Sequence, residues 1–236
     1  MFTILLPVFN GERWIIEAIQ NLKDQVYTDF EVIIVCNGCT DRSASFAASQ
    51  IAEDERFRLV DTKFANKSSA LNIGVMMASR EWIAIYDVDD RWHIEKLDYQ
   101  AREILSTSSL EVLGTQMFYL TEDNEVQPEG PLLPLSHEDI MSCLLERKSN
   151  PFCNSSITYR RDLHFTRVGF YDPQCAVEDY DFWIRCALVG AHFKNLAGFL
   201  VFHRLHSGSH FNGSNKQRND KIFLDSMMEH RRKGAE

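Results

Sequence analysis

Over its first hundred residues the chain alternates short apolar runs with longer amphipathic stretches, each bounded by Gly, Pro, Asn or Asp. Thr3 to Val8 reads as a strand, closed by the segment Pro7-Val8-Phe9-Asn10-Gly11. Residues 12–24 read as a helix with Trp14, Ile15, Ala18, Ile19 and Leu22 on one face. Glu31 to Cys36 is nearly all β-branched, as expected of a strand covered on both faces. A turn over Asn37 to Asp41 leads into a small-residue helix through Ala52. A third strand spans Phe57 to Asp61, a third helix Ser68 to Ser79, and a fourth strand Trp82 to Asp87. A helix follows from about His93 to Leu105, with Leu97, Ala101, Ile104 and Leu105 on one side. Strands separated by helices of this length predict an α/β layered fold, with a mostly parallel sheet and right-handed crossovers.

Beyond about residue 110 the rhythm changes. Glu111 to Leu120 is strand-like, and a Pro-containing acidic loop runs on to Leu135. Ser136-His137-Glu138-Asp139 has the form of a helix start, with an acid three residues past the cap. Ser156 to Arg160 and Phe193 to Phe202 read as strands, and Asp179 to Val189 as a helix. No repeat or composition break divides the chain, so residues 1–236 read as one domain. Residues 1–110 form its front half and 111–215 a smaller mixed part. Residues 216–236 form a tail, helical over 216–233.

Composition narrows the function. At 44% hydrophobic and 25% charged, the chain has the make-up of a soluble globular protein. A net charge of -9 argues against a nucleic-acid binder. The amino terminus lacks the basic start and long apolar core of a signal peptide, and no apolar run approaches the ~20 residues of a membrane span. The expectation is a cytoplasmic protein. Ile222, Phe223, Met227 and Met228 among basic residues in the tail fit either peripheral contact with the inner face of the membrane or packing on the domain. Six cysteines in so long a chain do not make a disulfide scaffold, and the Cys36/Cys39 pair lacks further ligands for a zinc site.

The candidate chemistry lies at the ends of the strands. In open α/β sheets ligands collect at the carboxyl ends. There the polar residues recur: Pro7 to Arg13, Cys36 to Asp41, Asp61 to Lys67 and Asp87 to Asp90. On an extended backbone Asp87 and Asp89 would project to one side. Two readings stand: a mount for a divalent cation carrying phosphates, or an acidic turn capping the next helix. Neither a G-x-G-x-x-G after the first strand nor a Walker lysine is present, which argues against dehydrogenases and P-loop enzymes.

Six segments in order resemble the inverting A-type (GT-A) glycosyltransferase fold of the large bacterial family 2 group. They are Pro7 to Glu12, Ile34 to Asp41, Asn72-Ile73-Gly74, Asp87 to Trp92, Glu178 to Arg185, and Arg204 to Ser209. The resemblance implies transfer of a hexose or N-acetylhexosamine from a nucleotide sugar, UDP-linked by default, to a saccharide or lipid-linked saccharide hydroxyl. It places such chemistry in bacterial polysaccharide or lipopolysaccharide synthesis. Asp89 would be the direct ligand of Mn²⁺ or Mg²⁺, with Asp87 near the ribose or reaching the ion through water, and His206 reaching back to the ion or diphosphate. Asp179 would be the base that takes the acceptor proton, with Glu178 beside it modulating its proton affinity.

Pro7, Val8, Phe9 and Glu12 would frame the nucleotide, together with Asn72. The family usually has Asp-Asp-Gly-Ser where this chain has Cys36-Asn37-Gly38-Cys39, so the contact to the base falls to Asn37 or moves to Asp61. Leu71 stands where an arginine often precedes Asn72, and Asn154 where many relatives have histidine. Asn154, Ser155 and Ser156 would hydrogen-bond acceptor hydroxyls, or Ser156 would begin a strand. Trp183 would floor the acceptor site or fill the core. The rivals are a metal-dependent nucleotidyltransferase and a nucleotide- or glycan-binding relative without turnover.

Overall fold

The computed structural model describes residues 1–127 and 130–208. In chain order its elements are β1 (Phe2–Val8), α1 (Ile15–Lys23), β2 (Phe30–Asn37), α2 (Ser43–Ile51), β3 (Phe57–Thr62), α3 (Lys67–Met77), β4 (Trp82–Ile85), β5 (Arg91–Trp92), α4 (Lys96–Ser106), β6 (Val112–Leu120), β7 (Val126–Gln127), α5 (His137–Leu145), a single 3-10 turn (Asn154–Ser156), β8 (Thr158–Arg160), α6 (Leu163–Thr166), α7 (Glu178–Leu188) and β9 (Phe193–Arg204). The strands join in one sheet, ordered β3-β2-β1-β4-β8-β6-β9-β5, with β7 on β6. The long ladders β1–β2, β1–β4, β2–β3 and β6–β9 are parallel. Short antiparallel ladders through β8, β5 and β7 make the mixed part. The expected α/β architecture, a mainly parallel sheet flanked by helices, is present.

Two cores explain the unbroken apolar strands. Alternate residues Phe2, Ile4, Leu6 and Val8 face Ile15, Ala18, Ile19 and Leu22 of α1, with Ala47 of α2 and Leu97 and Ala101 of α4. Leu5, Ile33 and Val35 face the other way, toward Ala70, Leu71 and Val75 of α3 and the aromatic face of α7. Each strand is therefore covered twice and needs no polar face. Gly74 lets α3 lie close: a Cβ there would stand 2.7 Å from Leu5 Cδ2.

Several boundaries differ from the sequence reading. Helix α1 begins at Ile15, because residues before it form a turn in which Trp14 and Ile15 donate to Gly11 O. Arg91 and Trp92 pair with Phe202 and Val201 as β5, which delays α4 to Lys96. Ser156 closes the 3-10 turn instead of starting a strand, and α6 was not anticipated. The tail helix expected at 216–233 lies outside the described residues, as does Ser209. Among the described residues no helix is long and apolar enough to cross a membrane.

Candidate active site

Strands β1 to β4 run parallel, so their carboxyl ends share one edge of the sheet. After β4 the chain turns: Asp90 N–H donates to Asp87 O at 3.0 Å. Asp87 and Asp89 therefore do not sit on an extended strand, and the alternation argument for their common direction does not hold. The turn separates its three carboxylates. Asp87 meets Lys67 Nζ at 3.0 Å and accepts from Asn154 Nδ2 at 3.1 Å. Asp89 meets His206 Nε2 at 2.8 Å. Asp90 turns inward, 2% exposed, and accepts from His203 Nδ1 at 3.0 Å and Arg204 N at 2.9 Å.

Buried polar groups hold this turn in shape. Asn21 of α1 accepts from Tyr86 Oη at 2.9 Å and Trp92 N at 2.7 Å, and donates to Trp92 O. Arg204, 1% exposed, donates to Asp89 O at 2.7 Å, Asn124 Oδ1 at 2.7 Å and Glu17 Oε1 at 2.9 Å, with Trp14 against its guanidinium. Strand β9 thereby delivers His206 to Asp89. Burial opposes ionisation of Asp89, but the hydrogen bond from His206, a backbone hydrogen bond and the nearby His206 and His203 together outweigh it and hold the carboxyl below its usual value.

The donor chemistry of Asp89 and His206 fits a divalent cation. A hard carboxylate oxygen and an imidazole nitrogen converge, both open enough to admit phosphate oxygens and water. Asp87 instead engages Lys67 and Asn154, so it is not turned toward His206. A second group, Asp90, Cys153 and His203, also gathers its ligand atoms within 4.8 Å of one another. There both Asp90 oxygens are hydrogen-bonded, Oδ1 to Arg204 N and Oδ2 to His203 Nδ1, and burial pushes the Cys153 thiol up, which suits the support of a turn better than an ion.

Across from β4, α7 opens with Glu178 and Asp179. Asp179 accepts from Asn150 Nδ2 at 2.9 Å. Burial and then the neighbouring Glu178 push it up to about 6, against the lowering influence of Lys67. Glu178 Oε1 lies 3.3 Å from Lys67 Nζ. Burial disfavours the Lys67 ammonium, yet Asp87, Glu178 and Asp179 outweigh this and hold it above the usual lysine range. Asp181 and Arg185 pair as support, and Arg185 also donates to Val168 O and Phe170 O.

At the nucleotide end Pro7 and Val8 are buried strand residues and Phe9 is exposed. Cys36 is wholly buried, and burial followed by Cys39 pushes its thiol to about 12, so it offers no acceptor to a base. Asn37 donates to Val8 O at 2.7 Å. Asp61, exposed, stands beside Cys36 in the β2–β3 register. Glu12 is bound to Arg42 and joins the first two loops.

The structure thus gathers Asp87, Asp89, His206, Asn154, Glu178 and Asp179. It places others elsewhere. Asn72 is engaged at both ends with the backbone of Tyr171. Ser155 is buried beneath the turn, receiving Asp87 N and Trp92 Nε1. Trp183 is 0% exposed among Phe152, Tyr159 and Phe182, so it fills the core and does not floor an acceptor site. Sequence reasoning missed Lys67, Asn150 and Asn21. Lys67 follows a readable helix cap, Asn66, but nothing local to it names its partners.

At this edge of the sheet a carboxylate–histidine pair therefore shares one site with a half-buried carboxylate of raised proton affinity. A model of glycosyl transferase family 2 matches residues 3–165, and the chain belongs to that family. The amylovoran biosynthesis glycosyltransferase AmsB of Erwinia amylovora is 27% identical, over 97% of this chain and 78% of its own. The O-antigen biosynthesis glycosyltransferase WbnJ of Escherichia coli is 26% identical, over 89% and 81%. Among solved structures, S. aureus TarS in complex with UDP-GlcNAc superposes with TM-score 0.72 at 17% identity, over 96% of this chain and 71% of that one. The mannosyltransferase PcManGT of Pyrobaculum calidifontis, with GDP-Man and Mn²⁺, gives 0.67 at 17%, over 89% and 58%. The chain spans 43% of a longer TarS chain. These likenesses establish the GT-A fold.

Proposed function

We propose that this protein is a metal-dependent, inverting glycosyltransferase that moves a hexose or N-acetylhexosamine from a nucleotide sugar to a saccharide hydroxyl. The observation that carries the reading is the single ion-pair chain Asp87–Lys67–Glu178, which brings the acids after β4 and those opening α7 into one cleft. The names of AmsB and WbnJ support a place in bacterial surface-polysaccharide or lipopolysaccharide synthesis. A lipid-linked acceptor fits a cytoplasmic enzyme working beside the inner face of the membrane. The nucleotide complexes of TarS and PcManGT support a nucleotide-sugar donor.

In this reading Asp179 takes the proton of the acceptor hydroxyl as its oxygen attacks the anomeric carbon. The bond from that carbon to the diphosphate oxygen breaks, and its electron pair leaves on the nucleoside diphosphate. Attack from the opposite face inverts the centre, and no covalent sugar–protein intermediate forms. A Mn²⁺ or Mg²⁺ held by Asp89 and His206 supplies positive charge against the leaving diphosphate. A raised proton affinity suits Asp179 to this work near neutral pH. Asn150 fixes its carboxylate, and Asn154 fixes Asp87. Asp61 meets the base in place of Cys36.

The test is a screen of UDP-, GDP- and other nucleotide sugars with Mn²⁺ or Mg²⁺ and mixed saccharide acceptors, following diphosphate release and the anomeric configuration of product by NMR. Release with inversion is expected. No binding and no release with any donor, or a product of retained configuration, would refute the proposal.

A further inference from the structure

Helix α3 is where the two sides of the cleft are fastened together. Asn66 Nδ2 donates to Pro173 O at 3.0 Å and Ser68 Oγ to Asp172 O at 3.0 Å. Asn72 donates to Tyr171 O at 2.8 Å and accepts from Tyr171 N at 2.9 Å. These bonds set the segment leading into α7 against one face of α3. Lys67 is the first residue of that helix, and its ammonium reaches Asp87 at 3.0 Å and Glu178 at 3.3 Å.

We propose that Lys67 is a positioning residue for the base in the reading above: held between Asp87 and Glu178, it fixes the start of α7 against the donor-side turn and offsets the negative charge gathered around Asp179. The charged neighbours of Asp179 are Glu178 on its own helix, Lys67 on α3 and Asp87 beyond β4. The segment before Pro151 contributes the neutral Asn150, while Arg147 of that segment acts on Tyr180. The Tyr171 phenol, kept protonated by burial, adds no charge. Two of the three charges on Asp179 are thus carboxylates, which raise its proton affinity, and Lys67 opposes both. The same ammonium stops Asp87 and Glu178 from repelling one another across the cleft.

The experiment compares Lys67→Gln and Lys67→Arg with the parent chain. The Lys67 side chain is 39% exposed, so neither substitution leaves a cavity, and thermal melts confirm folding. The Asp179 carboxyl is titrated by ¹³C NMR, assigned with Asp179→Asn, in EDTA and without donor. In parallel, kcat and KM are measured across pH. Lys67→Gln should move the Asp179 midpoint up by about one pH unit, carrying the acid limb of kcat with it, and Lys67→Arg should restore both. An unmoved midpoint overturns the proposal. So does a uniform rise in donor KM with the acid limb in place, which would put Lys67 on the donor phosphates. The titration needs no turnover, so a shifted midpoint in a protein that transfers no sugar supports the role of Lys67 while sinking the proposed reaction.

Discussion

Replacing Asp90 by asparagine keeps the side chain's size and one acceptor oxygen while removing its charge. The carboxylate is buried, and its partners are the His203 ring and the Arg204 amide of β9. Burial opposes the imidazolium of His203, but Asp90, with smaller contributions from Asp89 and Asp87, more than offsets this and raises it from 6.5 to about 9. A shift of that size corresponds to about 3 kcal/mol of stabilisation at most. Burial also raises Asp90 itself, so part of the pairing is lost in keeping that carboxylate ionised. A net loss of about 1–2 kcal/mol at neutral pH is the reasonable expectation for Asp90→Asn.

The pH dependence is the sharper readout. A histidine whose value is raised on folding contributes stability that is complete below about pH 6.5 and disappears as pH rises through about 9. The penalty on Asp90 cannot reverse this trend, because a carboxyl raised on folding costs stability as pH rises through its folded value and a constant amount above it. The stability difference between parent and Asp90→Asn should therefore be largest at pH 6 and shrink steadily toward pH 10. Urea unfolding at four pH values in EDTA measures it. A difference that stays constant from pH 6 to pH 10 would refute the charged pair. Because β9 carries His206 to Asp89, the variant should also need more Mn²⁺ to bind donor.

Four further outcomes follow, three from the site and one from the packing of β6. Asp179→Asn should retain metal-dependent donor binding by calorimetry and lose transfer by about 10²-fold or more; normal transfer would remove Asp179 as base. In the parent chain Asp179 must be ionised to accept a proton, so kcat should fall as pH drops through about 6 and level off above it; a profile flat down to pH 5 contradicts this. Asp89→Ala should weaken nucleotide binding in Mn²⁺ and leave the metal-free titration nearly unchanged, and equal loss in both would deny it a metal role. Gly114→Ala should destabilise by about 2 kcal/mol in denaturant unfolding, because a Cβ there would lie 2.0 Å from Asn195 Oδ1 and displace the bond from Asn195 to Pro151 O; unchanged stability would show that Asn195 yields freely.

The parts of this molecule that were readable in the sequence are those set by local pattern. β1, β2 and β4 announce themselves because both faces are covered, and α5 because Ser136 accepts from Asp139 N as a cap should. Asp89 and His206 were readable only through their order in a family pattern, since 117 positions separate them. What stayed hidden depends on distant partners. β5 is two residues long and is a strand because β9 lies beside it. Lys67 is an ordinary first helical residue until α7 arrives at its ammonium. Ser155 looked like a sugar contact, but the 3-10 turn places it under Trp92. Trp183 sits at a spacing that core and binding surface share, and only packing distinguishes them.

The departure at Cys36 is a relocation of charge across the sheet. Parallel partners lie on the same face, and Cys36 pairs with Asp61 on β3. Cys36 packs with the apolar residues beneath, and its neutral thiol leaves the carboxyl end of β2 without the acid that the family usually has there. One amide hydrogen of Asn37 is directed to Val8 O, so the side chain braces β1 and does not offer that hydrogen to a base. The available acid is then Asp61, one strand spacing of about 4.8 Å further from β1. In the proposed reading a base bound through Asp61 lies shifted toward β3, away from the position an acid at residue 36 would hold. The anchor for the diphosphate at Asp89 stays fixed by β9, so the shift must be absorbed by the nucleoside. In that reading donor choice is governed by the span between Asp61 and Asp89, with the proposed metal site common to any nucleoside diphosphate.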